Sequence, residues 1–573
     1  MANSETYRRL ALPGVCLGMT VAVLAPLLGR GFVLGYDMVF APRQYLVPDA
    51  VGLGSALPRS VPADAVVALL TTVVPGDLVQ QLVLAAALFV GPLGAGLLVP
   101  TGSLGVRLVA AVSYGWSAYV AERLFIGHWP YLLTYACLPW IARAAIALRA
   151  TPNERATPDE QATPDEPRQT RKRLAVLVLT MAPAVLTPSG GIIAAGTAMV
   201  TGGARRLWLT ATLAVVLNSP WWVPALLHPG TALSTSDGVA AFGARAESWA
   251  GAVVSLLGTG GIWNAEVVPD SRANPVVPVL VLAMVAVAAV GLHALWKTPA
   301  KALVPLGIGG LALAALGGSP VLGWIVENVP GGGLLRDSQK WVAWWALPFA
   351  IGFALGVGRA AALVRRGGTL LLVGAAVIPV AMMPDLAWGG WGRLQPADYP
   401  ADWAQVRERL AGDEPGDVLT LPLSAFRQFG WNGDRTQLDP APRVLPRPTV
   451  VDDTLVVDGR PIAGEDPRAA AIRQKIADGG DLGDVGIGWL LVEHGTPGRI
   501  DAALLDRAER VHQGRWLDLY RIPGEIEPYR ASTARVVPVV VADTIALATV
   551  TLSLLWLALP AGSLRPSRPR SRE

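Results

Sequence analysis

The sequence predicts a mainly α-helical protein, a polytopic transmembrane helical bundle, and three features of its composition support that fold class. Of the 573 residues, 52% are hydrophobic and only 16% are charged, with a mean hydropathy of +0.44, which is too apolar for a soluble protein of this length. The hydrophobic residues are grouped in runs of roughly 17–25, long enough to cross a hydrocarbon core about 30 Å thick. The 20 tryptophans also fit, since tryptophan concentrates at membrane interfaces.

About 12 runs have the length and composition of membrane spans. The first follows Arg8 and Arg9 like a signal peptide but lacks a small-residue cleavage site, so we expect it to remain as an anchor. The fifth and sixth runs are short, and a re-entrant pair is the alternative there. The predicted spans are 10–28, 78–100, 104–121, 129–148, 174–189, 191–204, 207–227, 275–296, 302–326, 341–358, 368–384 and 536–560.

Lysine and arginine in the short connections predict which side of the membrane each loop occupies. If the N-terminus is cytoplasmic, every inner connection is basic, including 143–173 and the C-terminal tail. We therefore expect a multi-pass plasma-membrane protein with both termini in the cytoplasm. The segments expected outside are the loop 29–77, the turn 122–128, the loop 228–274, the turn 327–340 and residues 385–535.

The sequence divides into a multi-span membrane domain (1–384), an extracytoplasmic α/β domain (385–535) and a last membrane helix with a basic cytoplasmic tail (536–573). Within the first domain, the tandem repeat ATPNER-ATPDEQ-ATPDEP contains too much proline and charge to bury a core, which predicts a disordered cytoplasmic linker over 150–173. In the α/β domain, strands are expected at 418–421, 488–492 and 516–521, and helices at 468–477 and 501–511.

An acidic residue lies close to the membrane in the first outer loop. Asp37 is nine residues beyond the first span, in GYDMVFAPRQ. A carboxylate at this interface can act as a general base toward an acceptor hydroxyl; a solvated loop carboxylate or a helix cap is the alternative. Arg43 and Arg59 share the loop and are candidate ligands of an anionic donor.

A second candidate cluster occupies the turn between the third and fourth spans, where Glu122, Arg123 and His128 lie among aromatic residues. His128 or Glu122 is a candidate ligand contact or a support for one, and Arg123 is a candidate binding residue. The alternative is a local Glu122–Arg123 ion pair. A single histidine is weak evidence for a metal, so we assign neither a metal nor another cofactor.

Two further clusters contain residues suited to binding a phosphate and a sugar, respectively. A glycine-rich turn delivers Arg336 and Lys340 to the outer surface just before a span, where cations can bind the phosphate of a lipid-linked donor. Snorkelling at a helix end is the alternative. In the α/β domain, Trp431 and Asn432 belong to a run of aromatic, amide and charged residues that suits sugar binding, or else form a buried tryptophan beside an Asn-Gly turn.

An aspartate in the first outer loop, many spans and an outer domain near the C-terminus together resemble the polytopic glycosyltransferases of the C-type fold, which use polyprenyl-phosphate sugars. The stretch LRDSQKW is similar to the Arg-x-x-x-Lys turn of actinobacterial arabinofuranosyltransferase-like and mannosyltransferase-like membrane proteins, and the arginine- and alanine-rich, lysine-poor composition also looks actinobacterial. The resemblance implies that Asp37 is the base and that Arg336 and Lys340 contact the donor phosphate. The loop has no second acid beside Asp37, so a metal-binding Asp-x-Asp is not expected.

The expected function is that of an integral membrane glycosyltransferase, acting at the outer face of the plasma membrane in cell-envelope glycan assembly. Its expected partners are a lipid-linked sugar donor, an envelope glycan or glycolipid acceptor, and membrane lipid, but not nucleic acid. The sequence contains neither a P-loop nor HExxH. Two alternatives stay open: a lipid or glycan transporter or flippase, for which Asp543 inside the last span would matter, and a non-catalytic envelope-assembly protein that binds a partner through its outer domain.

Overall fold

The computed structural model describes residues 2–149, 166–228, 237–412, 414–457 and 460–558, and in these the protein is mainly helical with a mixed sheet near its C-terminus. The longer apolar helices are Ala2–Leu24, Gly76–Leu98, Leu104–Gly115, Trp129–Arg149, Glu166–Met181, Pro188–Gly202, Leu207–Leu227, Val277–Leu295, Leu303–Ala315, Pro320–Asn328, Val342–Leu363, Gly368–Met382 and Thr533–Ala558. Shorter helices connect them at Ala63–Leu70, Ala118–Phe125, Asp237–Ala241, Gly251–Leu257 and Ala387–Trp391.

The structure has the organisation of a multi-pass membrane protein, but it does not confirm 12 spans. Among the described residues, seven helices are long and apolar enough to cross a membrane, or up to nine if each of two sharply bent helix pairs counts as one span. The predicted third span is interrupted, because its helix ends at Gly115 and Ser117 caps a separate short helix through the amide of Val120. The fifth and sixth predicted spans form helices of only 16 and 15 residues.

The last part of the predicted linker is helical. A helix begins at Glu166 and runs to Met181, so the prediction of disorder as far as residue 173 was wrong over its last part. Proline is tolerated in the first turn of a helix, and the glutamine, arginine and lysine residues that follow Pro167 are good helix formers. Residues 150–165, which carry most of the repeat, lie outside the described part of the chain.

The C-terminal α/β region contains one five-stranded mixed sheet. Its strands lie in the order Glu509–Gln513, Leu517–Arg521, Ile487–Glu493, Asp417–Leu421 and Thr449–Val450, with the last three parallel. Short strand pairs are Phe426–Gln428 with Thr436–Leu438 and Leu455–Val457 with Arg460–Ile462, and the helices are Ala401–Leu410, Ala441–Val444, Pro467–Ala477 and Ala502–Leu505.

One predicted element of this region was wrong. The helix expected over 501–511 ends at Leu505, and Glu509–Gln513 instead forms a strand beside Leu517–Arg521. The turn between the two strands is closed by the Gly514 amide, which donates to the Leu517 carbonyl at 2.9 Å. A close hairpin partner therefore decided the conformation of a segment whose hydrophobic pattern also fitted a helix.

The α/β region rests on the long loop that follows the first helix, here called the first loop (residues 28–62). Phe32–Val33 pairs antiparallel with Pro396–Ala397. The backbone of Tyr36 receives a hydrogen bond from the Leu438 amide at 2.7 Å and donates one to the Thr436 carbonyl at 2.6 Å. The first loop is therefore held between the helical bundle and the sheet, and this contact fixes the position of Asp37.

Candidate active site around Asp37

Asp37 is held in a tight turn against the end of the short helix Ala118–Phe125. Its amide donates to the Ile126 carbonyl at 3.1 Å, and the preceding Tyr36 adopts a positive φ of 45°. Gly127 has a φ of 80°, and a Cβ there would lie 2.1 Å from the Met38 amide nitrogen. Only glycine allows the two segments to approach this closely, so the turn carrying Asp37 has a defined place.

The Asp37 carboxylate is bonded to His128, and the geometry identifies the tautomer of the imidazole. His128 Nδ1 lies 2.6 Å from Arg123 Nη1, and His128 Nε2 lies 2.7 Å from Asp37 Oδ2. A guanidinium can only donate, so Nδ1 accepts and the neutral ring carries its proton on Nε2, which donates to Asp37. The Asp37 side chain is 38% exposed, so the carboxylate is accessible to an incoming hydroxyl.

Arg123 forms the centre of the network, and its partner is Asp337 rather than the adjacent Glu122. The fully buried guanidinium makes a bidentate ion pair with Asp337, at 2.6 and 2.9 Å, while its Nε donates to Gln339 Oε1 at 2.9 Å. Burial alone would raise the pKa of Asp337, but the charge and hydrogen bonds of Arg123, together with the nearby Lys340, outweigh burial and hold the pKa well below its ordinary value. Both groups are therefore charged, and they connect the turn of Asp37 to the glycine-rich turn (residues 331–340).

A second buried layer supports Gln339. Glu122 is fully buried and accepts from the Gln339 amide at 3.1 Å and from the Ile262 backbone amide at 3.2 Å. Burial and the neighbouring Glu247 raise its pKa well above the ordinary value, although Arg272 lies nearby and pairs with Glu247 at 2.6 Å. The protonated form of Glu122 is therefore favoured. Its other oxygen accepts no hydrogen bond from the described residues, and a proton on that oxygen would be donated to Glu247.

The glycine-rich turn separates its two cations. Lys340 is buried, and its Nζ donates to Ser189 Oγ at 3.0 Å and lies 5.8 Å from the centre of the Tyr131 ring. No carboxylate of the described residues lies within ion-pair distance of it, whereas Arg336 pairs with Glu465 at 2.9 Å. The two cations have different surroundings because they lie on different turns. Arg336 follows the 3-10 turn Gly332–Leu335, whereas Lys340 lies within the 3-10 turn Ser338–Trp341.

The remaining candidates have structural partners. Arg43 is exposed over the Tyr45 ring, and Arg59, with half its side chain exposed, bridges to Asp453 and Glu465.

Asn432 is fully buried and donates to the Leu34 carbonyl at 3.1 Å, and Trp431 packs on Phe429 and Tyr399. This arrangement matches the alternative of a tryptophan beside an Asn-Gly turn, and the Asn432 amide supports the first loop; sugar binding by Trp431 and Asn432 stays a prediction.

Four members of the network were not among the residues predicted from the sequence: Asp337, Gln339, Glu247 and Arg272. Asp337 lies in a run that had been recognised for its cations, and Glu247 and Arg272 lie in a loop without a distinctive motif. The Cys, His, Asp and Glu residues of the described part of the chain form no group of three that could hold a metal ion.

The fold belongs to a known structural class of membrane proteins, since solved structures match it over 91% of the chain and give it a fold like that of the C-type glycosyltransferases. The first match is arabinofuranosyltransferase AftD from Mycobacteria, with 17% sequence identity and a TM-score of 0.55; a mutant form of AftD matches with 16% identity and a TM-score of 0.53. The chain spans 40% and 42% of the length of these two structures. Neither a protein-family model nor a curated protein sequence matches it.

A third solved structure, ArnT from Cupriavidus metallidurans, is matched over 98% of its length at 14% identity. Its TM-score is 0.31.

Proposed function

We propose that the protein is an integral membrane glycosyltransferase that uses a polyprenyl-phosphate-linked sugar at the outer face of the plasma membrane, for assembly of a cell-envelope glycan. The observation that carries the proposal is the chain of hydrogen bonds from Asp37 through His128 and Arg123 to Asp337. It sets an accessible carboxylate in a C-type-glycosyltransferase-like fold and ties it to the turn that contains Lys340. The N- and C-termini are then cytoplasmic, as the distribution of basic residues favours.

In this mechanism Asp37 is the general base. The acceptor hydroxyl oxygen attacks the anomeric carbon of the donor, its proton passes to the Asp37 carboxylate, and the bond to the lipid phosphate breaks with the electron pair staying on the phosphate. His128 donates to Asp37 Oδ2 and so leaves the other oxygen to take the proton. A phosphate leaving group is already activated, so alignment and stabilisation of the departing charge are the main requirements.

Lys340 is the best-placed cation for that charge. It is buried, it has a hydroxyl rather than a carboxylate as its hydrogen-bond partner, and it is therefore not neutralised by a direct ion pair. Arg336 pairs with Glu465 and would have to exchange that carboxylate for a phosphate. We therefore assign the donor phosphate to Lys340, with Arg336 nearer the α/β region as the second contact.

The test is sugar transfer by the purified protein in lipid nanodiscs, using a panel of polyprenyl-phosphate pentoses and hexoses with an envelope-glycan extract as acceptor. Asp37→Asn keeps the shape of the side chain but removes its basicity, and we expect transfer to fall by about 10²–10⁴-fold. The matched control is Asp77→Asn, since Asp77 lies in the same predicted outer segment and its nearest hydrogen bond is to the adjacent Leu78 amide.

Transfer that persists at the wild-type rate in Asp37→Asn would contradict the proposal. The same nanodiscs, reconstituted into vesicles with a fluorescent lipid, report flippase activity, which would favour the transporter alternative if it survives Asp37→Asn and requires Asp543.

A further inference from the structure

A pocket lies on the Tyr36 side of the turn that carries Asp37. It has a volume of about 250 Å³ and is lined by residues 33–36 of the first loop, by Phe125, by residues 266–267, by the segment 393–395 and by residues 435–436 of the α/β region. Val33 belongs to the strand that pairs with Pro396–Ala397. None of the residues that line the pocket belongs to the glycine-rich turn with Lys340, so the pocket is distinct from the proposed donor-phosphate site.

One of the pocket's arginines is not neutralised. Arg435 is partly buried and donates to the side-chain and backbone oxygens of Gln395 at 3.2 and 3.3 Å, and to Asn432 Oδ1 at 2.6 Å. Its Nε is buried without a hydrogen-bond partner. No carboxylate of the described residues lies within 4.0 Å of it, and burial lowers its pKa without compensation from an acid. A partly buried guanidinium that has an unpartnered Nε and no carboxylate partner favours an oxyanion as its ligand.

The second arginine is oriented by backbone and aromatic contacts. Arg393 Nη1 donates to the carbonyls of Glu266 and Val268, both at 3.2 Å, and its guanidinium lies 5.0 Å from the centre of the Phe125 ring. Asp270 is 3.6 Å away, but its side chain is 95% exposed, and exposed pairs of this kind contribute little. Its charge is therefore also available to a ligand.

The lining contains one negatively charged residue, Glu266, and its carboxylate already accepts a hydrogen bond. The Tyr36 hydroxyl donates a short hydrogen bond to the Glu266 carboxylate, which occupies one of its oxygens. The lining residues thus carry two positive charges and one negative charge, and the net charge favours an anion.

The surroundings indicate where such an anion comes from. The helix Gly368–Met382 is followed, after a 66° bend, by the turn Ala387–Trp391, just before Arg393. Trp388 and Trp391 are 61% and 71% exposed, with φ values of 55° and 57° that turn the backbone left-handed. Two exposed tryptophans at the end of an apolar helix are typical of the level of lipid headgroups, so the pocket lies where lipid phosphates are abundant.

We infer that Arg393 and Arg435 form a binding site for the phosphate group of a membrane lipid, distinct from the donor site at Lys340. The guanidiniums bind the phosphate oxygens, while Trp388 and Trp391 lie among the headgroups and upper acyl chains. The shared chemistry is a phosphate ester on a lipid, which an anionic phospholipid and a polyprenyl phosphate both supply.

The site is tested by native mass spectrometry of the full-length protein released from nanodiscs, which counts retained lipids. The nanodiscs contain phosphatidylcholine alone, an equal mixture of phosphatidylcholine and phosphatidylglycerol, or phosphatidylcholine doped with polyprenyl monophosphate. We expect wild type to retain a phosphate lipid that the double variant Arg393→Gln/Arg435→Gln loses, with occupancy reduced about tenfold or more. Arg409→Gln, an exposed arginine of the same region, is the matched control.

Retention of phosphatidylglycerol identifies a bulk phospholipid as the occupant, and retention of polyprenyl phosphate alone identifies a carrier lipid; both support the site. Equal retention by wild type and the double variant overturns it. A double variant that unfolds is replaced by the single Arg435→Gln variant, read in the same way. Asp37→Asn is expected to retain the lipid normally, so that failure of the proposed catalytic role and failure of this site give different results.

Discussion

Single side chains decide the chemistry of this site, because each buried charge has one particular partner. The five N–H groups of Arg123 are divided among His128, Asp337 and Gln339. Removing any acceptor leaves a buried charged donor unsatisfied, which costs more than the bond itself contributes. The same division holds His128 as a neutral ring that donates to Asp37. Arg123 therefore orients the proposed base through His128 without touching Asp37.

Glu122 gives a prediction about pH. Its pKa is raised in the folded protein by burial and by Glu247, so the folded state binds the proton more tightly than the unfolded chain does. That contribution to stability is present at low pH and is lost as pH rises above the ordinary glutamate value of about 4.3, by up to about 1.4 kcal/mol per pH unit. Glu122→Gln mimics the protonated acid, so we expect its unfolding temperature to depend less on pH than that of wild type.

Thermal unfolding in detergent across a pH series measures this difference. Glu327→Gln removes an exposed carboxylate and is expected to keep the wild-type pH dependence. An unchanged slope in Glu122→Gln would show that the buried acid is ionised in the folded protein.

At the scale of elements, close backbone contacts position the reacting segments. A Cβ on Gly291 would lie 1.7 Å from the Gly352 carbonyl oxygen, so the helices Val277–Leu295 and Val342–Leu363 approach at a glycine contact. Gly127 likewise allows the turn of Asp37 to lie close to the end of the helix Ala118–Phe125. These glycines contribute no functional group, but they set where the elements that carry the side chains lie.

Gly127→Ala should therefore impair the site without removing any of its polar groups. The added methyl would meet the Met38 amide, and alanine is disfavoured at a φ of 80°, so the turn must shift. A displacement of about 1 Å can reduce a rate by about 10²-fold, and we expect a loss of transfer of that order. The measurement is transfer rate, together with hydrogen exchange over residues 34–40.

Gly35→Ala is the control for this change, because a Cβ at Gly35 has no heavy atom within 4 Å. Wild-type transfer and exchange in Gly127→Ala would mean that the turn adapts, and that the close approach does not constrain Asp37.

Sequence patterns predicted the helices and strands better than the pairs of side chains that meet between them. Asp37, His128 and Arg123 could be singled out because they lie in predicted connections beside apolar spans, where polar residues are conspicuous. Asp337 could not be assigned as the partner of Arg123, since the two residues are 214 positions apart and no local pattern relates them. For Asn432, the sequence left sugar binding and an Asn-Gly turn open, because its burial under the first loop depends on tertiary contacts that no local pattern shows.

At the scale of the whole molecule, the α/β region forms part of the wall of the site. Besides the strand pairing with the first loop, Arg443 of this region bonds to Asp64 of the helix Ala63–Leu70 at 3.1 Å, with both side chains largely buried. The charge of Asp37 also acts on Arg443 and helps to raise its pKa against the effect of burial. The region is thus electrostatically coupled to the base as well as docked beside it.

Charge reversal tests this docking. Arg443→Asp places two acids together, and we expect it to destabilise the docked arrangement by about 1.5–3 kcal/mol, read as a lower unfolding temperature and faster proteolysis between the two regions. Asp64→Arg alone is expected to act similarly, while the double reversal recovers much of the loss. Arg59→Asp is the comparison, because Arg59 is half exposed and such pairs are weak. A double variant no better than the singles would refute a direct coupling.

The separation of Arg123 from Asp337 along the chain has a consequence for biogenesis. The ribosome delivers the guanidinium to the membrane long before the carboxylate that neutralises it has been synthesised. Until the glycine-rich turn emerges, Arg123 lacks the carboxylate with which it pairs in the folded protein. We therefore expect the buried pair to form only late in synthesis, and a chain that stops between these two residues to leave the Arg123 guanidinium without its buried partner.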